Sequence, residues 1–84
     1  MITMYSTTWC GYCRRLKIGL DREGILYKEV NLEDDPEAAE WVMGVNGGNQ
    51  TVPTVRGFAP SGEEVALTNP TVQQVMDAFA LDLA

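Results

Sequence analysis

The stretch Ser6-Thr7-Thr8-Trp9-Cys10-Gly11-Tyr12-Cys13-Arg14-Arg15 constrains this chain more than any other. It holds both cysteines of the protein, two residues apart, directly after the apolar and β-prone run Ile2 to Ser6. Beyond it, Cys13, Leu16 and Leu20 recur at spacings of three and four. That spacing predicts a helix from Cys10 or Gly11 to about Glu23, stopped by Gly24. A CxxC therefore stands where a strand gives way to a helix, and the fold has to present that junction.

The remaining segments fill in an alternating order. Tyr27 to Leu32 alternates and reads as a second strand. Asp35 caps a helix with Pro36 at its first position. That helix carries Ala38, Trp41, Val42 and Val45 on its apolar side, and Asn46-Gly47-Gly48-Asn49 ends it. Val52 to Arg56 is a third strand, Gly57 to Glu64 a hairpin loop, and Val65 to Leu67 a short fourth strand. Asn69 and Pro70 open a last helix, with Asn69 a good cap, and Val72, Val75, Met76, Phe79 and Leu83 form its stripe. The expected fold is α/β in the order β-α-β-α-β-β-α. The first crossover makes a parallel pair, and a hairpin completes a mixed four-stranded sheet.

Length and charge bound the function. The 84 residues fit a single domain spanning 1–84, and an apolar content of 45% is enough to fold it. Twelve acids against six bases leave a net charge of −6, which argues against nucleic-acid and anionic-membrane partners. No run approaches the roughly 18 apolar residues of a membrane span. A cytoplasmic location is the default expectation, and there a disulfide is usually transient. The chain has no histidine, which removes the usual general base, the usual metal ligand and the Cys–His nucleophile pair.

Three uses of the cysteine pair can be weighed. A structural staple closing four residues would contribute only about 2 kcal/mol on a loop-entropy estimate. A structural zinc wants four Cys or His ligands, and one chain offers two. A cluster shared between two chains needs fewer thiolates from each. Redox chemistry uses the placement itself. A sulfur at Cys10 would meet the unpartnered N–H groups and positive dipole end of the helix, both of which favour a thiolate. In CxxC motifs the thiol pKa falls from about 8.5 to about 7 or below. Cys13, one turn on, would face the core. Arg14, Arg15 and Lys17 follow; they are either a solvated helix face or a positive field that also favours the Cys10 thiolate. Four of the six bases lie between residues 14 and 22, partly offset by Asp21 and Glu23.

With WCGYC at 9–13, VNGGNQTVPTV at 45–55 and LTNP at 67–70, the chain resembles the glutaredoxins of the thioredoxin fold. Within them it is most similar to the mycoredoxins of bacteria that use mycothiol. The resemblance covers essentially all of the chain and implies roles. Cys10 matches the attacking cysteine and Cys13 the resolving one. Val52-Pro53 matches a loop whose proline is cis, although only about 5–6% of X–Pro bonds are. The backbone of Val52 would then pair with substrate like a strand. Leu67, Thr68 and Asn69 match the segment that holds the far end of glutathione.

Departures from the family pattern point to the thiol. Many glutaredoxins have a lysine where this chain has Thr7, a basic residue where it has Gln50, and Gly-Gly with an acidic residue after the last strand where it has Leu67-Thr68-Asn69-Pro70. Those charges pair with ionised groups of glutathione. Mycothiol, an acetylated cysteine on a sugar–inositol unit, has no ionised group besides its thiol. Neutral hydrogen-bonding residues suit it, because unpartnered buried charges would cost binding. The same residues also read as ordinary loop and cap positions. Trp9 either packs on the sheet or rims the groove. Tyr12 lies between the cysteines on an exposed turn, where it would touch substrate. Trp41 reads as core, and the acids at 33–35 as a solvated loop and cap.

The expected activity is a thiol–disulfide oxidoreductase acting on mycothiol–protein mixed disulfides. Mycothiol is its reducing co-substrate, itself regenerated by an NADPH-dependent mycothiol disulfide reductase. No bound cofactor is required, and a monomer is the plain expectation. One alternative is a thioredoxin-like dithiol donor recharged by thioredoxin reductase. The other is a [2Fe–2S] carrier dimer, since Gly11 rather than proline follows the first cysteine.

Overall fold

A computed structural model describes residues 1–81. Strands β1 (Ile2–Ser6), β2 (Tyr27–Asn31), β3 (Thr54–Phe58) and β4 (Glu64–Thr68) form one sheet in the order β2-β1-β3-β4. Helix α1 (Gly11–Arg22) crosses from β1 to β2, which run parallel with Ile2 opposite Tyr27 and Ser6 opposite Asn31. Helix α2 (Pro36–Val45) leads to β3, antiparallel to β1, and the β3–β4 hairpin precedes α3 (Val72–Phe79). The α/β class, the mixed sheet and the element order are those expected from the sequence.

Alternation along β1 divides the core. Ile2 and Met4 point to the face covered by α1 and α3, where they meet Cys13, Leu16, Leu20, Val55, Val75 and Phe79. Tyr5 points to the other face and packs with Leu32 and Val42 beneath α2. The two helices on the first face approach closely at Gly19, where a Cβ would collide with the Val72 side chain. At the end of α1, Gly24 takes a left-handed φ of 70° and the Ile25 N–H bonds back to the Leu20 carbonyl at 2.9 Å.

Several local expectations need correction. The third strand starts at Thr54 rather than Val52, because Pro53 has no N–H for the ladder and its carbonyl is taken by the Asn69 N–H. The last helix is capped by Thr71, not by Asn69: Thr71 Oγ1 accepts the Gln74 N–H at 3.1 Å, and Gln74 Oε1 accepts the Thr71 N–H at 2.9 Å. That reciprocal pair satisfies two helix-start donors, and Asn69 is left-handed instead, at φ 47°. Residues 32–34 form a short 3-10 turn rather than plain loop, while Asp35 does cap α2. Val45 is exposed, because α2 covers the sheet only along the side that holds Val42. Trp41 is half-buried, tilted against Tyr5 and covered by the Arg56 guanidinium at 4.2 Å. Leu83, the last residue of the expected α3 stripe, lies outside the described residues.

The Gly19–Val72 contact yields a packing test. Gly19→Ala gains about 1 kcal/mol of helix propensity but forces the stiff Val72 side chain to move, at about 1–3 kcal/mol. Chemical denaturation should show a net loss of about 1 kcal/mol. In a Val72→Ala background the same substitution should be neutral or stabilising.

Candidate active site

The chain leaves the C-terminal end of β1, crosses residues 7–9, and enters α1 with Cys10 as the cap. Cys10 has an extended backbone, φ −90° and ψ 107°, and its Sγ accepts the Cys13 N–H at 3.0 Å. A sulfur thus fills the position usually given to a Ser, Thr, Asp or Asn oxygen. The Arg14 N–H closes the first helical turn on the Cys10 carbonyl at 3.2 Å. Cys10 and Cys13 are joined as a disulfide, with Cα atoms 5.2 Å apart. Cys13 is buried among Leu16, Leu20 and Val75, whereas Cys10 is half-buried at the edge of that cluster.

The two sulfurs therefore sit in opposite environments. In the dithiol form, the Cys13 N–H and the positive helix end would favour a thiolate at Cys10. The first turn of α1 contains no acid to oppose it. Cys13 is enclosed by apolar side chains, beneath the half-buried Cys10. Such an arrangement can offer one activated sulfur and keep a second in reserve.

The loop before Cys10 is held from the β2 side. Thr8 donates its N–H to Glu33 Oε1 at 2.9 Å, and Asn31 Nδ2 donates to Thr8 Oγ1 at 3.2 Å. Asn31 Oδ1 in turn accepts the Glu33 N–H at 2.8 Å. The Thr8 N–H keeps the Glu33 carboxyl below its ordinary range. Sequence reading gave Glu33 to solvent. The Asn31-to-Glu33 turn was legible as an Asx spacing, but the bond across to Thr8 was not.

Opposite this loop, the Val52–Pro53 bond is cis, as the resemblance implied. The Pro53 side chain is buried, and its carbonyl accepts the Asn69 N–H at 2.7 Å. Among the described residues the N–H and carbonyl of Val52 enter no backbone hydrogen bond, so they can serve an extended partner. The turn is anchored by Asn46, a residue the sequence reading used only as a helix stop. Its Nδ2 donates to the Val42 carbonyl at 2.9 Å and to Thr54 Oγ1 at 3.2 Å, and Thr54 Oγ1 donates to the Thr51 carbonyl at 2.8 Å. Thr68 Oγ1 donates to Asn46 Oδ1.

The expected binding residues are thus only partly gathered. Cys10 and Val52 pack against one buried cluster, and Tyr12 and Asn69 line one small cavity with Arg15, Pro70 and Thr71. Trp9 is 89% exposed, so it does not pack on the sheet. The Thr7 carbonyl accepts the Cys10 N–H at 3.4 Å. Thr68 spends its hydroxyl on Asn46, and Gln50 is exposed, with Nε2 3.8 Å from Met43 Sδ. Among the described residues no three Cys, Asp or Glu side chains gather as a metal site, and no helix is long and apolar enough to cross a membrane.

Comparison with known proteins agrees with this geometry. A profile described as glutaredoxin matches residues 2–57. A provisionally named glutaredoxin of Mycobacterium tuberculosis is 51% identical over 74 residues, covering 88% of this chain and 83% of that protein. Mycoredoxin 1 of Corynebacterium glutamicum is 44% identical over 75 residues, covering 89% of this chain and 87% of its own. The fold also matches the glutaredoxin of Archaeoglobus fulgidus with a TM-score of 0.65 at 22% identity, over 92% of this chain and 83% of that one.

Two predictions follow from the loop contacts. Asn46→Ala should cost about 1–3 kcal/mol and speed hydrogen exchange at the Asn69 amide, since the turn it anchors carries the Pro53 carbonyl. Glu33 has a lowered folded-state pKa, so its contribution to stability is present above the ordinary value of 4.5 and is lost as pH falls through the folded value. Melting temperatures of wild type and Glu33→Gln should therefore differ at neutral pH and converge in acid.

Proposed function

The chain belongs to the glutaredoxin family of thiol–disulfide oxidoreductases, and we propose that it removes mycothiol from mixed disulfides with proteins. The observation that carries this reading is the 44% identity to mycoredoxin 1 along 89% of the chain. The neutral side chains of Thr7, Gln50, Thr68 and Asn69 support it, because a polyol thiol needs hydrogen-bonding groups rather than counter-charges.

On this reading the Cys10 thiolate attacks the mycothiol sulfur of the mixed disulfide. The S–S bond breaks and the client protein departs as its thiolate. A Cys10–mycothiol disulfide remains, with its backbone laid along Val52 and its sugar near Tyr12 and Asn69. A second mycothiol thiolate then attacks the bound mycothiol sulfur. Mycothiol disulfide leaves and Cys10 returns as the thiolate; over the cycle one disulfide is exchanged for another, with one free mycothiol thiol consumed and one client thiol released. An NADPH-dependent mycothiol disulfide reductase would restore mycothiol. Cys13 supplies a side route: its thiolate attacks Cys10 Sγ, expels mycothiol and leaves the Cys10–Cys13 disulfide. The site works in the cytoplasm and as a monomer.

The decisive assay is turnover of a mycothiol–peptide mixed disulfide by wild type, Cys13→Ser and Cys10→Ser. Glutathione and thioredoxin reductase systems are run in parallel. Cys13→Ser should keep turnover of the same order as wild type with mycothiol, and Cys10→Ser should lose it. Activity that needs both cysteines and is recharged only by thioredoxin reductase would replace this reading with a dithiol donor.

A further inference from the structure

Helix α1 concentrates positive charge in an acidic protein. Of its four bases, Lys17 is paired with Glu29 at 3.2 Å. Arg14, Arg15 and Arg22 are exposed, and among the described residues none of them forms an ion pair. Nearby acids leave them so. Asp21 faces the Tyr27 hydroxyl, Glu23 lies past the helix end, and Asp77 on α3 accepts Gln73 Nε2 at 2.9 Å.

The placement is ordered. Gly11, Arg15, Ile18 and Arg22 follow one another at four, three and four residues, which puts them on one stripe with Arg14 beside it. Ile18, at its middle, is 54% exposed. The stripe lines a shallow concavity against Val72 of α3. At the upper end the Arg15 guanidinium lies 5.9 Å from the Tyr12 ring centre, and Tyr12 and Trp9 are exposed beside Cys10. The stripe thus begins at the cysteines and runs down α1 for about 18 Å, the length of twelve helical residues. That equals about five to six residues of extended chain.

We infer that this stripe docks protein clients whose target cysteine is followed or preceded, within about six residues, by Asp or Glu and an apolar side chain. Charge complementarity carries the assignment. A net charge of −6 repels an acidic client at long range, and the arginine row is the one face of α1 that attracts it. An acidic segment therefore approaches with its cysteine toward Cys10. Ile18 offers an apolar contact between the charges. The inference names the client class for the activity proposed above and rests on that reading of Cys10.

The test uses ~12-residue peptides with one cysteine in a mixed disulfide with mycothiol, flanked by Asp/Glu, by neutral residues or by Lys. At low ionic strength wild type should turn over the acidic peptide about tenfold faster in kcat/KM than the basic one, and at about 0.5 M salt the preference should shrink to within about twofold. The Arg14→Gln/Arg22→Gln variant, which leaves Arg15 in place beside Tyr12, should lose most of the preference yet keep its rate on the mixed disulfide of mycothiol with free cysteine within about twofold. Equal turnover of all peptides by wild type would overturn the inference, as would a preference that survives in the variant. So would an equal slowing on every substrate, which would assign the arginines to the Cys10 thiolate. Binding of cysteine-to-serine peptides to Cys10→Ser protein should give the same ranking. Loss of that ranking sinks the docking strip, whereas loss of mycothiol turnover alone sinks only the proposed function.

Discussion

Strand β1 has a partner on each edge and a covered surface on each face. It pairs in parallel with β2 and antiparallel with β3, while Ile2 and Met4 meet α1 and α3 and Tyr5 meets the α2 side. A one-residue slip would exchange those faces, so the register is strongly specified. With β1 fixed, its C-terminal end fixes residues 7–9, and Asn31 and Glu33 at the end of neighbouring β2 can reach them. The antiparallel pairing on the other edge brings Thr54 opposite Tyr5, which sets the cis turn just ahead of it. The cysteines and the Val52 backbone thus come from the two sides of one strand.

This dependence explains what could be read in advance. The elements were legible because their apolar residues keep a period: Cys13, Leu16 and Leu20 in α1, and Val72, Val75, Met76 and Phe79 in α3. The Cys10 cap was legible because strand, CxxC and helix follow within a few residues. Boundaries failed where a local competitor won. Asn69 before Pro70 looks like a cap, but Thr71 with Gln74 closes a reciprocal pair that Asn69 cannot. Val52 looks like strand, yet the ladder begins at Thr54, past Pro53, which has no N–H to donate. Contacts between distant segments left no trace in periodicity, and the bonds Thr8–Glu33, Asn46–Thr68 and Asn69–Pro53 are all of that kind.

Segment 45–55 shows the same division. Read along the chain, Asn46-Gly47-Gly48-Asn49 is a helix stop and Val52-Pro53-Thr54 the start of a strand. In space they are one unit, because Asn46 both ends α2 and reaches Thr54, whose hydroxyl holds the Thr51 carbonyl. Pro53 contributes a buried ring and an acceptor for Asn69. The neighbouring Val52 backbone is left without a backbone partner because the surrounding turn is already satisfied by others. On the proposed reading, a hydrogen-bonded turn with one unused peptide edge is where an extended substrate would pair, with little ordering left to do on binding.

Charge then separates two recognition tasks. The residues suggested for the small thiol, Thr7, Gln50, Thr68 and Asn69, are all neutral; on α1, Arg14 and Arg22 stand apart from them, and Arg15 reaches the edge of the cavity lined by Tyr12 and Asn69. A polyol thiol has nothing for a guanidinium to neutralise, so a charge in its groove would be desolvated without a partner. Along α1 the same charge stays hydrated until a client arrives, and it acts through a field that reaches about 8 Å at physiological salt. On the proposed reading the small thiol is the same in every mixed disulfide, so its contacts need no variation from client to client. The variable part of every substrate is the protein attached to it, and on our reading the basic stripe is where that part is sorted.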